Sequence, residues 1–134
     1  MTALPWADRN EAAPDGPEDF YAAHLTLADE AEVRAFLTAR CSEVYARYRP
    51  DAPEARMARA FHEAAGGEVD MLHDALCGTG TEAMTARLNH WNSLMHILEP
   101  WRGTPGHNGD RWKLIAHTDE WDRARTQARA QGAR

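Results

Sequence analysis

The sequence has few β-branched residues, few cysteines and no long run of apolar residues. Valine and isoleucine together number five, against ten leucines and 25 alanines in 134 residues. Because β-branched side chains favour strands, their scarcity argues against an extended sheet. No segment approaches the roughly eighteen consecutive apolar residues that span a bilayer, so no membrane span is expected. The composition therefore predicts an all-α protein.

The low cysteine content bears on location. Cys41 and Cys77 are too few for a disulfide framework or a four-cysteine zinc site, and two reduced thiols are typical of the cytoplasm. The first residues contain neither a basic stretch nor an apolar stretch, so no secretion signal is predicted. We therefore expect a cytoplasmic protein.

Charge is unevenly distributed along the chain. The net charge is -6, with 15 basic and 21 acidic residues, which disfavours a general nucleic-acid-coating role. Residues 1–32 carry eight acids and one arginine, whereas residues 122–134 carry four arginines and one aspartate. Arginine outnumbers lysine 14 to 1, which together with the many alanines is typical of a GC-rich genome.

Apolar residues recur at helical spacing in three long segments. In the first segment, Thr26 is followed three residues later by Asp29, a capping-box pair, and Pro50 ends the helix. The spacing also predicts ion pairs at Glu30–Arg34 and Glu43–Arg47. The apolar stripe of this helix comprises Val33, Phe36, Leu37, Cys41, Val44, Tyr45 and Tyr48.

The second helix is predicted to begin at Asp51, with Glu54 at capping-box spacing and Pro53 in the first turn. Its apolar stripe keeps its phase through Gly66 and Gly67, which favours one continuous or mildly bent helix over two helices hinged at the glycines. The stripe consists of Met57, Phe61, Ala65, Val69, Leu72 and Leu76.

The third helix follows the turn at Gly78-Thr79-Gly80, with Thr81 as its predicted N-cap and Pro100 after its end. This glycine-rich turn follows helical rather than strand periodicity, which favours a helix–helix joint over a nucleotide-binding turn. Apolar residues cover about half of the helix circumference, so we expect it to be the most buried element. They are Met84, Leu88, Trp91, Leu94, Met95, Ile97 and Leu98.

The two ends of the chain carry weaker patterns. Residues 1–16 lack a period and are interpreted as a flexible acidic tail, which leaves residues 17–134 as a single helical domain. Residues 17–24 are compatible with a short helix anchored by Phe20 and Tyr21, and a C-terminal helix is predicted from Thr118 to about Ala130. Residues 112–116 have no assignable pattern. The predicted fold is an antiparallel bundle of three long helices with the shorter C-terminal helix packed across it.

Arg87 is the one charge that helical phase places within the apolar arc of the third helix. A charge there must pair with an acid, extend to water or bind an anion. We expect an ion pair with Asp70 or Asp74 of the second helix. The alternative is a small anionic ligand bound by Arg87 together with His90.

The polar loop before residue 112 holds further candidate ligand-binding residues, namely His107, Asp110 and Arg111. Tryptophan is enriched in cores and in binding hot spots, and four of the five tryptophans follow residue 90. Trp101, Trp112 and Trp121 are therefore the candidate partner contacts.

No arrangement of catalytic or metal-ligating residues is identifiable. The sequence contains no recognisable Ser–His–Asp or Cys–His pairing, so no catalytic residue is predicted. His62 and His73 lie about 16 Å apart along one helix, too far for one metal ion. A site would need ligands from several helices, for example one of these histidines with His90, and we expect no metal and no cofactor.

The leading interpretation is a small, non-enzymatic helical interaction protein that binds another protein or a second copy of itself. The first alternative is a ligand-binding or enzymatic bundle that uses Arg87, His90 and residues 107–111. The second alternative is weak nucleic-acid contact through the arginine-rich C-terminal helix.

Overall fold

The computed structural model describes residues 22–115, which form three α-helices and contain no strand. The helices are α1 (Leu27–Arg47), α2 (Pro53–Cys77) and α3 (Thr81–Leu98). Short 3-10 turns, Ala22–His24 and Glu99–Trp101, lie before α1 and after α3. The predicted all-α class and the three long helices are confirmed.

Several predictions concern residues outside the described range. They are the tail of residues 1–16, the anchors Phe20 and Tyr21, and the C-terminal helix from Thr118. Of residues 17–24, the structure describes only Ala22–His24, and this segment is a 3-10 turn.

Successive helices run in opposite directions, joined by short connections. Glu30, near the start of α1, has its Oε1 2.8 Å from Nδ1 of His73, near the end of α2. Glu68 of α2 and His90 of α3 make the corresponding contact at 2.8 Å. The central helix α2 packs against both α1 and α3.

The chain after α3 fills the side of the bundle between α1 and α3. Trp112 is 1% exposed and packs edge-on against Phe36 of α1, with ring centroids 5.3 Å apart. From α3, Trp91 Nε1 donates a hydrogen bond to the Lys113 carbonyl at 2.8 Å, and two further hydrogen bonds join α3 to the backbone of Ile115. Residues 112–115 are therefore irregular in backbone but belong to the core.

The hydrophobic core comes from all three helices and from this irregular segment. A smaller share of residues is exposed in α3 than in α1 or α2, as predicted, whereas α1 and α2 each contain more fully buried residues. No helix in the described part of the chain has the length and apolar character to cross a membrane. The core residues are Leu25, Val33, Phe36, Leu37, Ala65, Val69, Leu72, Trp91, Leu94, Met95, Leu98, Trp112 and Ile115.

The N-terminus of α1 has the predicted capping box. The Thr26 hydroxyl accepts a hydrogen bond from the Asp29 N–H at 3.3 Å, and the Asp29 carboxylate accepts one from the Thr26 N–H at 2.8 Å. These bonds satisfy backbone donors that have no partner within the helix. The side chain of Asp29 therefore fixes where α1 begins.

The predicted N-caps of α2 and α3 are both wrong by one residue. The cap position of α2 is Ala52 rather than Asp51, because Pro53 is the first helical residue, where its missing N–H costs nothing. The cap position of α3 is Gly80 rather than Thr81. Gly80 has φ +90°, a conformation that glycine adopts without strain.

Of the two predicted ion pairs along α1, one is confirmed. Glu30 and Arg34 form a salt bridge with a 2.9 Å contact between Oε2 and Nε. The predicted pairing of Glu43 with Arg47 is wrong, because Glu43 lies 3.0 Å from Arg40 instead. Arg40 is held near this position by its hydrogen bond to a backbone carbonyl of the loop after α3.

The central helix is continuous through its two glycines, as the unbroken apolar phase predicted. A Cβ atom built on Gly66 or Gly67 would meet no other atom within 4 Å. Close packing therefore does not require glycine at either position.

The carboxylate of Glu30 is buried and ties α1 to α2. Burial alone would raise its pKa, but hydrogen bonds from His73 and Arg34 outweigh burial and hold the pKa below its usual value of 4.5. The folded protein therefore binds this proton less readily than the unfolded chain. The stabilisation is complete above the unfolded-state pKa and is lost as the pH falls through the lowered folded-state pKa.

We predict that Glu30→Gln weakens the acid dependence of stability, because the titrating group is gone. At neutral pH the variant should be less stable by about 1.5–3 kcal/mol, the range for a hydrogen bond to a charged group. Urea unfolding measured between about pH 6 and pH 3 should give a flatter profile than the wild type. Glu63→Gln, an exposed glutamate on α2, is the control and should keep the wild-type profile. Identical profiles for Glu30→Gln and the wild type would contradict the prediction.

Candidate functional site

A groove of about 550 Å³ lies between the last turns of α1 and the first turns of α2, with Trp101 along one side. This volume is within the usual range for ligand and peptide-anchor sites. We call it the open groove. Its lining residues are Arg40, Cys41, Glu43, Val44, Arg47, Tyr48, Glu54, Met57, Ala58, Phe61 and Trp101.

The open groove lies beyond the end of α3, which is shorter than α2, the helix that it packs against. Trp101, just beyond α3, packs on Phe61 with ring centroids 5.6 Å apart. The chain after α3 therefore passes α2 at the level of Phe61, whereas α2 begins at Pro53, about two turns earlier. The apolar stripes of α1 and α2 continue into this region, which no other element of residues 22–115 covers.

Three large apolar side chains at this end of the bundle are exposed. Met57 is 73% exposed, which corrects its predicted place on the buried stripe, and Tyr45 and Tyr48 are 37% and 38% exposed. Tyr48 also borders a second depression of about 280 Å³ on its other side, which is lined by Tyr45 and Arg59 among others. Tyr48 thus connects the two depressions into one partly apolar surface.

The charge at this end differs in sign from that of the whole chain. Residues 40–59 contain five arginines and three acids, a net charge of +2. Arg40 pairs with Glu43, whereas Arg47 has no acidic partner among residues 22–115. Glu54 lies in the first turn of α2, where the helix dipole favours a negative charge. Among residues 22–115, Arg47 is therefore the arginine of the groove lining without an acidic partner, and the lining as a whole, with Arg40, Glu43 and Glu54, carries no net charge.

Cys41 forms part of the groove floor and is 3% exposed. Its Sγ lies 3.8 Å from the Ala58 carbonyl oxygen. Burial raises the pKa of the Cys41 thiol, so the thiol stays protonated at neutral pH and is a poor nucleophile. The structure therefore assigns Cys41 a packing role.

Arg87 does not pair with Asp70 or Asp74, which corrects the expectation from helical phase. Its guanidinium donates to the carbonyl oxygens of Ala75, Leu76 and Gly78 at 3.1, 3.2 and 3.1 Å. These carbonyls lie at the end of α2, where the helix itself provides no donors. Arg87 therefore caps the C-terminus of α2, while Asp70 pairs with an arginine of α1.

The other candidate ligand-binding residues lie in two separate regions. His90 contacts Glu68 between α3 and α2, whereas the loop residues lie over α1. There, the His107 ring packs on Trp112 with centroids 4.8 Å apart, and Asp110 is exposed. The structure does not assign a ligand to these residues, and their binding role stays a prediction.

Arg111 is bound to other parts of the protein. Its Nε and one terminal nitrogen lie 3.0 and 2.9 Å from the two carboxylate oxygens of Asp29, and it also donates to the His24 carbonyl at 3.0 Å. A two-point contact of this kind fixes the orientation of both side chains. Arg111 thus fastens the loop after α3 to the beginning of α1.

The three tryptophans proposed as partner contacts have different environments. Trp101 is half-buried beside the open groove. Trp112 is a core residue rather than a surface residue, because the chain folds back between α1 and α3. Trp121 lies outside the described residues. Of the two tryptophans that the structure describes, Trp101 borders the groove and Trp112 does not.

A third depression, of about 400 Å³, lies near the other end of α1 and α2, and it is polar. Arg34 lies 2.9 Å from Asp70, and His73 lies 2.8 Å from Glu30, so opposite charges already meet there. Within residues 22–115, no three His, Cys, Asp or Glu side chains form a possible metal site. These ion pairs join α1 to α2, and the polar depression is the surface of that helix–helix contact.

Comparison of the chain with protein-family models, curated proteins and solved structures finds no match. The case for a function therefore depends on the geometry of the chain itself.

Sequence reasoning missed Met57 and Arg47 as site residues, although one signal was present. The predicted third helix runs from Thr81 and stops before Pro100, so it is several residues shorter than the second. In a bundle with short connections, such a difference leaves the apolar stripe of the longer helix uncovered at one end. Comparing the predicted helix lengths would have indicated the open groove.

We predict that Arg87→Met destabilises the fold by about 1–3 kcal/mol, because carbonyl groups at the end of α2 lose their charged donor. Arg87→Lys should recover only part of the loss, since one ammonium lacks the planar fork of the guanidinium. Urea unfolding measures both changes. Arg102→Met, which removes an exposed arginine paired with Glu99, should change stability by less than about 1 kcal/mol.

Double mutants can test separately which group the Arg87 side chain contacts. Combining Arg87→Met with Asp70→Asn or Asp74→Asn should give additive effects within about 0.5 kcal/mol. A larger coupling to either aspartate would show that the charge pairs with an acid rather than with the helix end.

Proposed function

We propose that this protein is a non-enzymatic interaction protein that binds a protein partner through the open groove. The observation that supports this role is the exposure of Met57 beside Tyr48, at a place where core stripes continue past the end of α3. Exposed apolar surface of this kind is typical of interaction sites. Methionine and tyrosine are also enriched where proteins bind partners.

The groove is better suited to contact than to catalysis. Its cysteine is a buried, protonated thiol, and its remaining charges are arginines and glutamates. Among the lining residues that the structure describes there is no histidine; of the two glutamates, Glu43 pairs with Arg40 and Glu54 lies in the first turn of α2, so neither is held beside a nucleophile that it could activate. Binding of an apolar side chain is the chemistry that this lining supports.

The ligand-binding alternative at Arg87, His90 and residues 107–111 has less support. The guanidinium groups of Arg87 and Arg111 are engaged by carbonyls and by Asp29, and His90 contacts Glu68. An anion would have to displace contacts that hold the helices together. The nucleic-acid alternative concerns the C-terminal arginines, which lie outside the described residues.

The test is a pull-down from extracts of the source cells with tagged wild type, Met57→Glu and Met71→Glu. Met71 is the matched control, since it is a methionine of α2 that is 52% exposed and does not line the groove. We expect a partner to be recovered with the wild type and with Met71→Glu, and to be reduced about tenfold or more with Met57→Glu, because a glutamate places a charge where the apolar contact forms.

Sedimentation velocity of the same three proteins tests self-association through the groove. An oligomer that forms through the groove should dissociate to monomer in Met57→Glu and should persist in Met71→Glu. Recovery of the same proteins by all three forms, with no change in sedimentation, would contradict binding through the groove. Circular dichroism should be identical for all three, since both methionines are on the surface.

A further inference from the structure

We infer that Met57 is a redox modification site, at which hydrogen peroxide oxidises the thioether to a sulfoxide and so lowers the affinity of the open groove for apolar groups. The consequence for partner binding rests on the proposed function, whereas the oxidation itself does not. Three observations support the inference. They are the exposure of Met57, its position in the groove lining, and the burial of the sulfur atoms that the fold depends on.

Exposure separates reactive from protected methionines. Residues 22–115 contain four of the five methionines of the chain. Met57 is 73% exposed and Met71 is 52% exposed, whereas Met84 is half-buried and Met95 lies in the core. Peroxide must reach the sulfur atom to transfer oxygen to it, so susceptibility follows exposure. Met57 and Met71 are therefore the described methionines most open to oxidation.

The position of Met57 gives its oxidation an effect on the groove. Met57 lines the groove together with Tyr48 and Phe61, whereas Met71 lies about 21 Å further along α2 and does not line it. A sulfoxide is polar, and burying a polar group without a hydrogen-bond partner is unfavourable. Oxidation of Met57 therefore opposes the packing of an apolar group in the groove, and oxidation of Met71 does not.

The sulfur atoms that pack the fold are shielded from the same oxidant. Cys41, on the groove floor, is 3% exposed, and burial raises the pKa of its thiol, so little reactive thiolate is present at neutral pH. Met95 is 5% exposed. Peroxide should therefore change the groove surface while the packing of the helices persists.

The oxidation is a two-electron oxygen transfer. The thioether sulfur attacks one oxygen of hydrogen peroxide, the O–O bond breaks, an S–O bond forms and the other oxygen leaves as water. The sulfur is oxidised and the peroxide is reduced. A reductase that uses two thiols reverses the step, since the thiols become a disulfide and the sulfoxide oxygen leaves as water. The exposure of Met57 makes it accessible to both reactions.

Peptide mapping by mass spectrometry tests the modification site. The full-length protein is treated with hydrogen peroxide, and each methionine peptide is followed for the gain of one oxygen atom. Met57 and Met71 should oxidise at rates within about threefold of each other, and both at least about tenfold faster than Met95. Circular dichroism should stay unchanged over this period. Oxidation of Met57 no faster than that of Met95 would overturn the inference.

Binding of an apolar dye tests the effect on the groove. Anilinonaphthalene sulfonate, which fluoresces on exposed apolar surface, is titrated into the full-length protein before and after oxidation. Oxidation should weaken dye binding by about threefold or more in the wild type and in Met71→Leu. It should have no effect in Met57→Leu, because leucine is apolar and has no sulfur. Cys77→Ser, which removes the exposed thiol, should behave as the wild type.

The reverse reaction is a further check, since a methionine sulfoxide reductase should restore dye binding to the oxidised wild type. Unchanged dye binding after full oxidation of Met57, or an equal loss in Met57→Leu, would overturn the effect on the groove.

The pull-down separates this inference from the proposed function. A partner recovered by the untreated wild type should be lost after oxidation of the wild type and kept after oxidation of Met57→Leu. A partner kept by the oxidised wild type would leave the proposed function standing and overturn control by oxidation. If the untreated wild type recovers no partner that Met57→Glu loses, the proposed function fails, and peptide mapping and dye binding still decide whether Met57 is the modification site.

Discussion

Two adjacent carboxylates at the start of α1 hold the bundle together. Asp29 accepts from the backbone N–H of Thr26 and from the guanidinium of Arg111, and Glu30 accepts from Arg34 and His73. Both carboxylates are buried, so each would be costly without its cation. Through them the first turn of α1 is joined to α2 and to the loop after α3. The position of that loop in turn places Trp112 in the core between α1 and α3.

The molecule consequently has two ends of different character. At one end, ion pairs and the capping of α2 by Arg87 satisfy charged groups and backbone carbonyls. At the other end, α3 has stopped and apolar side chains of α1 and α2 remain exposed around the open groove. Groups that hold the fold and groups suited to binding are therefore far apart along the helices. A substitution such as Met57→Glu can alter the surface without touching the contacts that keep the helices together.

Sequence patterns predicted the structure within each helix well. They predicted poorly which residues of different elements contact one another. Periodicity located all three helices, and the Thr26 capping box was visible because both of its members lie within one turn. Helical phase also placed Arg87 correctly toward α2. It did not reveal the partner, because the carbonyls at a helix end have no signature in the side-chain sequence. The core position of Trp112 is not predictable from the sequence for a similar reason, since a short apolar run without a period does not show what it packs against.

The two glycines in the middle of α2 have an evolutionary consequence. Each costs about 1 kcal/mol relative to alanine inside a helix, and the space around both would accommodate a methyl group. Replacing both glycines with alanine would therefore stabilise the helix by about 2 kcal/mol. Neither position touches the ion pairs or the groove. Alanine at these sites would compensate for destabilising changes elsewhere. Destabilising substitutions on the groove surface could therefore be offset while the same bundle persists.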